Sequence, residues 1–470
     1  MKPSSLQQIR QAVGGKSLAP LPSDSPKVSV VCTDTRKRIE PGSLFVALPG
    51  EHFDGHQFLP KAAAEGAVAA LVEQPPADPW PNLHLIQVPS TRAALGKLAT
   101  YARKQMRAKV IGVAGSNGKT STKHLIQAAL SGRLKGSISP KSYNNDIGVP
   151  LTILPADPLQ DYLVLEMGTN HHGEISVLTK MALPDIAVIT NCGAEHLEGL
   201  GDLMGVRREN ATVLEGVDEE KGLLVVNGDD DELLQAVSHW PGKRLTFGFK
   251  HTNDLFATDI EVTDKGVYFS LNNSRRQVFV PLLGKHTACN ALAAIAVARK
   301  MAVPEDVIID GLSKATGPEM RLQLQKISGI TLVNDAYNAN PNSMRAALET
   351  VMSLSAPGRR IAILGDMREL GQSSDRFHRE LGELAATCRL DALVCVGAQA
   401  ALIADAAERA GMAAQAVSRF EDSESAAKVV PTWLHDGDLV LLKGSRGIRL
   451  EAVANAMQQA QANARRKVAS

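Results

Sequence analysis

Lys109-Val-Ile-Gly-Val-Ala-Gly-Ser-Asn-Gly-Lys-Thr-Ser-Thr122 carries an apolar segment into a glycine-rich turn and out into a helix-forming one. Val110, Ile111 and Val113 read as a buried strand, and His124 to Leu130 continue as a helix. Gly112, Gly115 and Gly118 let the turn aim backbone N–H groups at a polyphosphate without Cβ clashes. Lys119 adds charge near the β and γ phosphates, Thr120 offers a hydroxyl to Mg²⁺, and the helix N-terminus favours anions. The strict phosphate-loop pattern puts a glycine six positions before the lysine, where this chain has Val113, so the loop is a variant. The competing reading is a tight turn that binds nothing. Gly-Lys-Thr between a strand and a helix weighs against it.

Around this stretch the chain is long, and its 470 residues predict roughly two to four domains rather than one core. Its 51 Lys and Arg balance 50 Asp and Glu, which removes any net-charge argument for nucleic acid or an acidic membrane surface. Five cysteines, Cys32, Cys192, Cys289, Cys388 and Cys395, show no CxxC spacing, so neither a zinc site nor a disulfide framework is expected. The N-terminal residues lack an apolar signal core and no run approaches about 18 apolar residues. The expectation is a soluble cytoplasmic protein with no membrane span.

Upstream, residues 1–86 form a unit with short strands at Val28 to Val31, Ser43 to Leu48 and Val68 to Val72, closed by the proline-rich loop from Gln74 to Pro81. Thr33-Asp-Thr-Arg36 and Glu51-His-Phe-Asp-Gly-His56 are its polar segments. A metal at His52 and His56 is not expected, because Asp54-Gly55 interrupts the helix that such spacing needs. Ser90 reads as the N-cap of a helix through Arg107. Beyond the phosphate loop, strands at Tyr162 to Met167, Ile186 to Thr190 and Leu223 to Asn227 alternate with helices, which predicts a parallel sheet covered on both faces.

Ligands of such a sheet bind at the carboxyl ends of its strands. Glu166 stands at one such end as a carboxylate for Mg²⁺, and Gly193-Ala-Glu-His196 follows another. Residues 222–290 turn more β-rich, with Gly266 to Leu271 and Gln277 to Val280 as an antiparallel pair about Asn272-Asn273. An alanine-rich helix through Met301 follows, with His286 and Asn290 at its start as candidates for ligand contact.

A third unit starts after Gly317-Pro318, with strands at Thr331 to Val333, Arg360 to Leu364, Ala392 to Val396 and Leu439 to Leu442. The ends of these strands, Asn334-Asp335, Gly365-Asp366, Gly397 and Lys443-Gly-Ser-Arg446, would face one cleft. The tail from Ala464 to Ser470 reads as a frayed end. An ATP domain flanked by two others suits a ligase, in which a carboxylate is phosphorylated and an amine then displaces the phosphate. Cations lower the repulsion between carboxylate and polyphosphate.

Gly115 to Thr120, Tyr143-Asn-Asn-Asp-Ile-Gly-Val-Pro150, Glu166-Met-Gly168, His171-His-Gly-Glu-Ile175, Ala194-Glu-His-Leu-Glu-Gly199, Gly284-Lys-His286 with Asn290, Asn334-Asp-Ala-Tyr-Asn-Ala-Asn-Pro341 and Lys443 to Arg446 together resemble the Mur ligases, over nearly the whole chain. Thr33 to Arg36, Asn144 to Gly148 and Asp366-Met-Arg-Glu-Leu-Gly371 favour the branch that acts last. The resemblance implies an α/β protein of three domains: a small N-terminal UDP-binding domain (1–86), a central P-loop ATPase-type parallel sheet (87–315) and a C-terminal Rossmann-like doubly wound domain (316–470).

It also implies a monomeric ATP- and Mg²⁺-dependent ligase acting on UDP-N-acetylmuramoyl-tripeptide and D-alanyl-D-alanine. Gly115, Ser116, Asn117, Gly118, Lys119, Thr120, Ser121, Asn290, Arg321 and Asp335 would bind ATP, and Thr120, Glu166 and His196 the metal. Lys119, Glu166, His196 and Arg321 would be catalytic. Thr33, Asp34, Thr35, Arg36, Asp54 and His56 would hold the UDP-sugar, and Asn144 and Asn145 the muramoyl-peptide. Asn338, Asn340, Asp366, Lys443, Ser445 and Arg446 would form the D-alanyl-D-alanine pocket.

Two positions depart from the family pattern. Asn210 stands where relatives carry a lysine that becomes carbamylated, so a carbamate bridge to a second Mg²⁺ is ruled out, and Glu319-Met320 precedes Arg321 where a glycine is common. A relative adding a single amino acid, a folate polyglutamate synthetase and a nucleotide-gated binding protein without ligation are the alternatives. The separate N-terminal unit argues against the folate enzyme, and the metal and arginine positions against the binding protein.

Overall fold

The computed structural model describes residues 1–469 except 22–25, 51, 77–79, 81, 273 and 275, with side chains to residue 460. Glu51, Asn273, part of the proline-rich loop and the side chains of the tail therefore lie outside the described residues. Among the described residues three sheets follow one another along the chain.

The first has five strands in the order Lys16–Ser17, His84–Gln87, Ala67–Val72, Ser43–Val46, Val31–Cys32. Its strand His84–Gln87 contains the boundary drawn at 86. The segment Val28 to Val31 is only partly strand: Val28 makes an isolated bridge to Ser4, and regular pairing begins at Val31. Ser90 does cap a helix, through its side chain to Ala93 N, but the helix is Thr91–Arg103. It ends short of Arg107 because residues 104–106 tighten into turns and Arg107 N donates to Pro158 O at 3.0 Å, redirecting the chain into the next strand. Ala94, Leu95 and Leu98 of that helix share one apolar core with Leu6 and Ile9 of the helix Leu6–Val13 and with Leu44 of the first sheet, so the first two domains are joined by a continuous buried layer.

The central sheet has nine strands, and Lys109–Ala114 lies between Ile186–Ile189 and Tyr162–Glu166, parallel to both. The expected antiparallel pair, Gly266–Leu271 with Gln277–Val280, extends its far edge through Leu255–Thr263. The sheet is thus parallel around the phosphate loop and mixed at that edge. The alanine-rich helix His286–Lys300 is buried along nearly its whole length against this sheet, and small side chains allow that close approach.

The third sheet runs Gln323–Ile327, Ile330–Asn334, Leu439–Lys443, Arg360–Gly365, Ala392–Val396, Val417–Phe420, with helices on both faces. Its first strand is antiparallel and the other five are parallel. The last helix, Glu451–Ala469, continues through the segment read as a frayed tail. Among the described residues no helix is long and apolar enough to cross a membrane.

Candidate active site

The phosphate loop is shaped by the strand beside it. Ser116 N donates to Asn191 O at 2.8 Å and Asn117 N to Asn191 Oδ1 at 3.1 Å, while Asn191 Nδ2 and Thr190 Oγ1 donate back to Asn117 O at 2.8 and 2.6 Å. Gly118 has φ +82°, and a Cβ there would sit 2.5 Å from Asn290 Oδ1. Only glycine lets the loop turn into the helix Lys119–Ser131 against that asparagine. Lys119 Nζ donates to Gly115 O and, at 3.1 Å, to Ser116 O; it lies 3.8 Å from Glu195 Oε1.

Next along the helix, Thr120 Oγ1 is buried and has no hydrogen-bond partner among the described residues. A buried hydroxyl left over beside the phosphate lysine fits a hard cation, which prefers oxygen ligands. Glu166 is also buried, at the end of Tyr162–Glu166, and both its oxygens are engaged. Lys123 Nζ donates to Oε2 at 3.0 Å and Asn144 Nδ2 to Oε1 at 3.1 Å. Burial pushes the Lys123 ammonium pKa down, against the attraction of Glu166. Sequence reasoning missed Lys123; its signal is the spacing of four from Lys119, one helical turn along the same face. No cluster of three or more His, Cys, Asp or Glu that could hold a metal occurs among the described residues. Mg²⁺ ordinarily takes one or two protein oxygens and completes its shell with phosphate and water, so Thr120 and Glu166 fit it without such a cage.

One cleft of about 1120 Å³ gathers Ser116 to Ser121, Glu166, His196, Asn290, Arg321, Asp335, Asn338, Asn340 and Lys443, together with Asn144, Asn145 and His286. Arg321 stacks on Tyr337, with 4.2 Å from guanidinium carbon to ring centroid. Asp335 and Lys443 end neighbouring strands whose register pairs Asn334 with Leu442, and their side chains meet at 2.7 Å. Lys443 also donates to Asn338 O at 3.0 Å. Asn340 Nδ2 crosses to the phosphate loop, donating to Asn117 Oδ1 at 2.8 Å. Asn145 Oδ1 accepts from Gly148 N at 2.8 Å, at the start of the helix Gly148–Ile153.

Four strand ends of the third sheet were expected at one cleft, and only two line it. Asp366 Oδ1 accepts from Ala400 N at 2.7 Å, holding the start of Ala400–Arg409, and Gly397 packs directly beside that carboxylate. Ser445 Oγ accepts from Arg368 N at 2.9 Å, and Arg446 pairs with Glu451 at 3.2 Å. Asp366, Ser445 and Arg446 thus do not line the cleft.

In the first domain the expected sugar-binding residues lie away from the cleft. Asp34 holds Arg36 through two bonds, Nε to Oδ1 at 2.9 Å and the terminal nitrogen to Oδ2 at 3.0 Å, and that guanidinium holds the carboxyl down to about 2. Asp54 caps the turn at His56, and His56 Nε2 accepts from Glu73 N at 2.9 Å. A second hollow, about 420 Å³, is lined by Thr35, Arg36, Lys37, Arg38 and Lys61. Lys37, Arg38 and Lys61 were not singled out in the sequence, because a short basic run is usually a solvated surface.

The family model described as "Mur ligase middle domain" matches residues 113–298, "Mur ligase, glutamate ligase domain" matches 320–446, and "Mur ligase family, catalytic domain" matches 27–103. A Bacillus subtilis relative, UDP-N-acetylmuramoyl-tripeptide--D-alanyl-D-alanine ligase, is 38% identical over 426 residues, covering 90% of this chain and 92% of its own. The chain belongs to the Mur ligase family. Among solved structures, MurF from Acinetobacter baumannii superposes with a TM-score of 0.86 at 33% identity, covering 97% of this chain and 99% of that one. The MurF ligase of Thermotoga maritima, solved in complex with ADP, has a TM-score of 0.81 at 28% identity and covers 92% and 97%. This Mur ligase therefore has the three-domain fold of its family, and the three matched segments correspond to its three sheets.

Proposed function

We propose that this Mur ligase joins the terminal carboxylate of UDP-N-acetylmuramoyl-tripeptide to the amine of D-alanyl-D-alanine, with ATP as phosphoryl donor. The observation that supports this best is the single cleft in which the phosphate loop and third-domain residues Arg321, Asp335 and Asn340 converge. The phosphate loop and Lys119 hold the β and γ phosphates, Asn290 and Asp335 the nucleoside side, and Arg321, steadied by Tyr337, faces the transferring phosphoryl group. The tripeptide carboxylate attacks the γ phosphorus, releasing ADP and forming an acyl phosphate. The dipeptide amine then attacks the acyl carbon, loses a proton and expels inorganic phosphate.

Mg²⁺, when bound, would offset phosphate charge beside Thr120, Glu166 and His196. Asn144 and Asn145 border the path of the peptide, and Asn338, Asn340 and Lys443 that of the dipeptide. The basic hollow at Arg36, Lys37, Arg38 and Lys61, with Thr33 to Thr35, Asp54 and His56, takes the UDP end. The working unit is a monomer, placed in the cytoplasm where ATP is supplied.

The test is phosphate release with ATP and UDP-N-acetylmuramoyl-tripeptide against a panel of D-alanyl-D-alanine, D-Glu, L-Ala and diaminopimelate. Release that depends on D-alanyl-D-alanine is expected; release with a single amino acid, or with none, overturns the assignment.

A further inference from the structure

Glu369 belongs to the third domain, on the connection between Arg360–Gly365 and Ser374–Thr387, yet its carboxylate meets a central-domain side chain. Glu369 Oε2 lies within hydrogen-bond reach of His196 Nδ1. An ionised carboxylate only accepts, so this contact places a ring hydrogen on Nδ1. His196 Nε2 is 3.9 Å from Glu195 Oε2, and Glu195 Oε1 is 3.8 Å from Lys119 Nζ. A run of neighbouring polar groups thus links the third domain to the phosphate lysine.

Three further observations fix this contact. Glu198 N donates to Glu369 O at 3.2 Å. Phe377 of the third domain packs on the apolar cluster beneath the His196 loop. Glu369 and His196 both adopt left-handed backbone, φ 63° and 49°, a conformation a non-glycine residue holds only when its surroundings impose it.

We propose that Glu369 is the positioning residue for His196: it sets the ring's tautomer and orientation, so the nucleotide site is completed only when the third domain is docked. A histidine that ligates a metal or faces a phosphate commonly donates its other N–H to a carboxylate, and here that carboxylate arrives from the domain that carries the amine pocket. Docking and completion of the phosphate site are then one event. The inference rests on the reading of His196 as a phosphate-site residue.

The experiment compares Glu369→Ala, Glu369→Gln, His196→Asn and the double variant Glu369→Ala/His196→Asn in the full chain. Mg·ADP affinity is measured by calorimetry, kcat and KM for ATP by phosphate release, and the His196 ring by ¹⁵N NMR. Loss of such a partner typically weakens a site about 10–100-fold, so Glu369→Ala is expected to lose affinity in that range. Glu369→Gln, which still accepts from Nδ1, falls between it and the parent and carries the test if the alanine variant fails to fold.

The ring is expected to leave the Nδ1-protonated form in Glu369→Ala, and the double variant to be no worse than His196→Asn alone. Unchanged affinity and tautomer in Glu369→Ala, or losses that add in the double variant, overturn the inference. A His196→Asn variant with parental affinity and kcat instead overturns the reading of His196 itself.

Discussion

Lys119 and Asp335 are both charged residues in the cleft, yet their removal has different physical consequences. Lys119 donates to carbonyls of its own loop and lies 3.8 Å from the buried Glu195, which keeps His196 Nε2 at 3.9 Å, so its loss breaks only a long ion pair. Lys119→Ala is expected to abolish ATP-dependent phosphate release while the melting temperature stays within a few degrees of the parent; full activity would remove the loop from the site. Asp335 is the partner of a buried lysine, and removing one member of such a pair costs about 3–5 kcal/mol because the other charge is left uncompensated. Asp335→Ala is therefore expected both to raise KM for ATP and to lower the denaturant midpoint of the third domain. An added Lys443→Met substitution should recover stability without recovering KM. The sequence showed both residues at strand ends but not that they pair, since that needs the strand order.

At the scale of elements, the phosphate loop depends on its neighbour strand as well as on its own glycines. Asn191 closes the loop from the end of Ile186–Ile189, a residue 74 positions from Asn117. A comparable anchor holds the third sheet: Asp438 accepts from Arg359 Nε at 3.1 Å and from its terminal nitrogen at 2.6 Å, and from His435 N at 2.9 Å. Burial raises the Asp438 pKa, but the Arg359 and backbone hydrogen bonds outweigh it and leave the carboxyl below its ordinary value. A depressed carboxyl stabilises the fold above its unfolded pKa, near 3.9, and that contribution disappears as pH falls through the lower folded value. Asp438→Asn should thus melt below the parent from pH 5 to 7, with the gap narrowing below about pH 4. A gap independent of pH would show that the charge contributes nothing.

For the whole molecule the decisive contact is Asn340 Nδ2 to Asn117 Oδ1, 2.8 Å across two domains. Asn340 also caps Pro341–Ser353 through its Oδ1, accepting from Ser343 N at 2.9 Å. Asn340→Asp separates these roles, because a carboxylate keeps the cap but loses the donor and sets a negative charge beside the phosphate loop. Thermal stability should be retained while KM for ATP rises on the order of tenfold, the effect of one lost hydrogen bond plus repulsion. Small-angle scattering should show less compaction on nucleotide addition, and parental compaction with a parental KM would exclude the contact from domain closure.

The sequence by itself determined the phosphate loop, the α/β alternation, the three-part organisation and the family, because these rest on local chemistry: glycine where a turn needs it, apolar period in strands, a lysine and threonine at a helix start. It also placed Asn290, Arg321 and Asp335, which the cleft does gather. The tertiary structure alone decided which strand ends share that cleft. Asp366, Ser445 and Arg446 have the same local signature as Asp335 and Lys443, yet they bond to a helix start, a loop amide and the glutamate five residues on. It alone brought Lys123 to Glu166 and Glu369 to His196, the latter across 173 residues. Strand order and domain docking are set by burial of whole apolar faces, a sum over many residues, so the pairing of any two polar side chains at the edge follows from that sum and not from their own sequence.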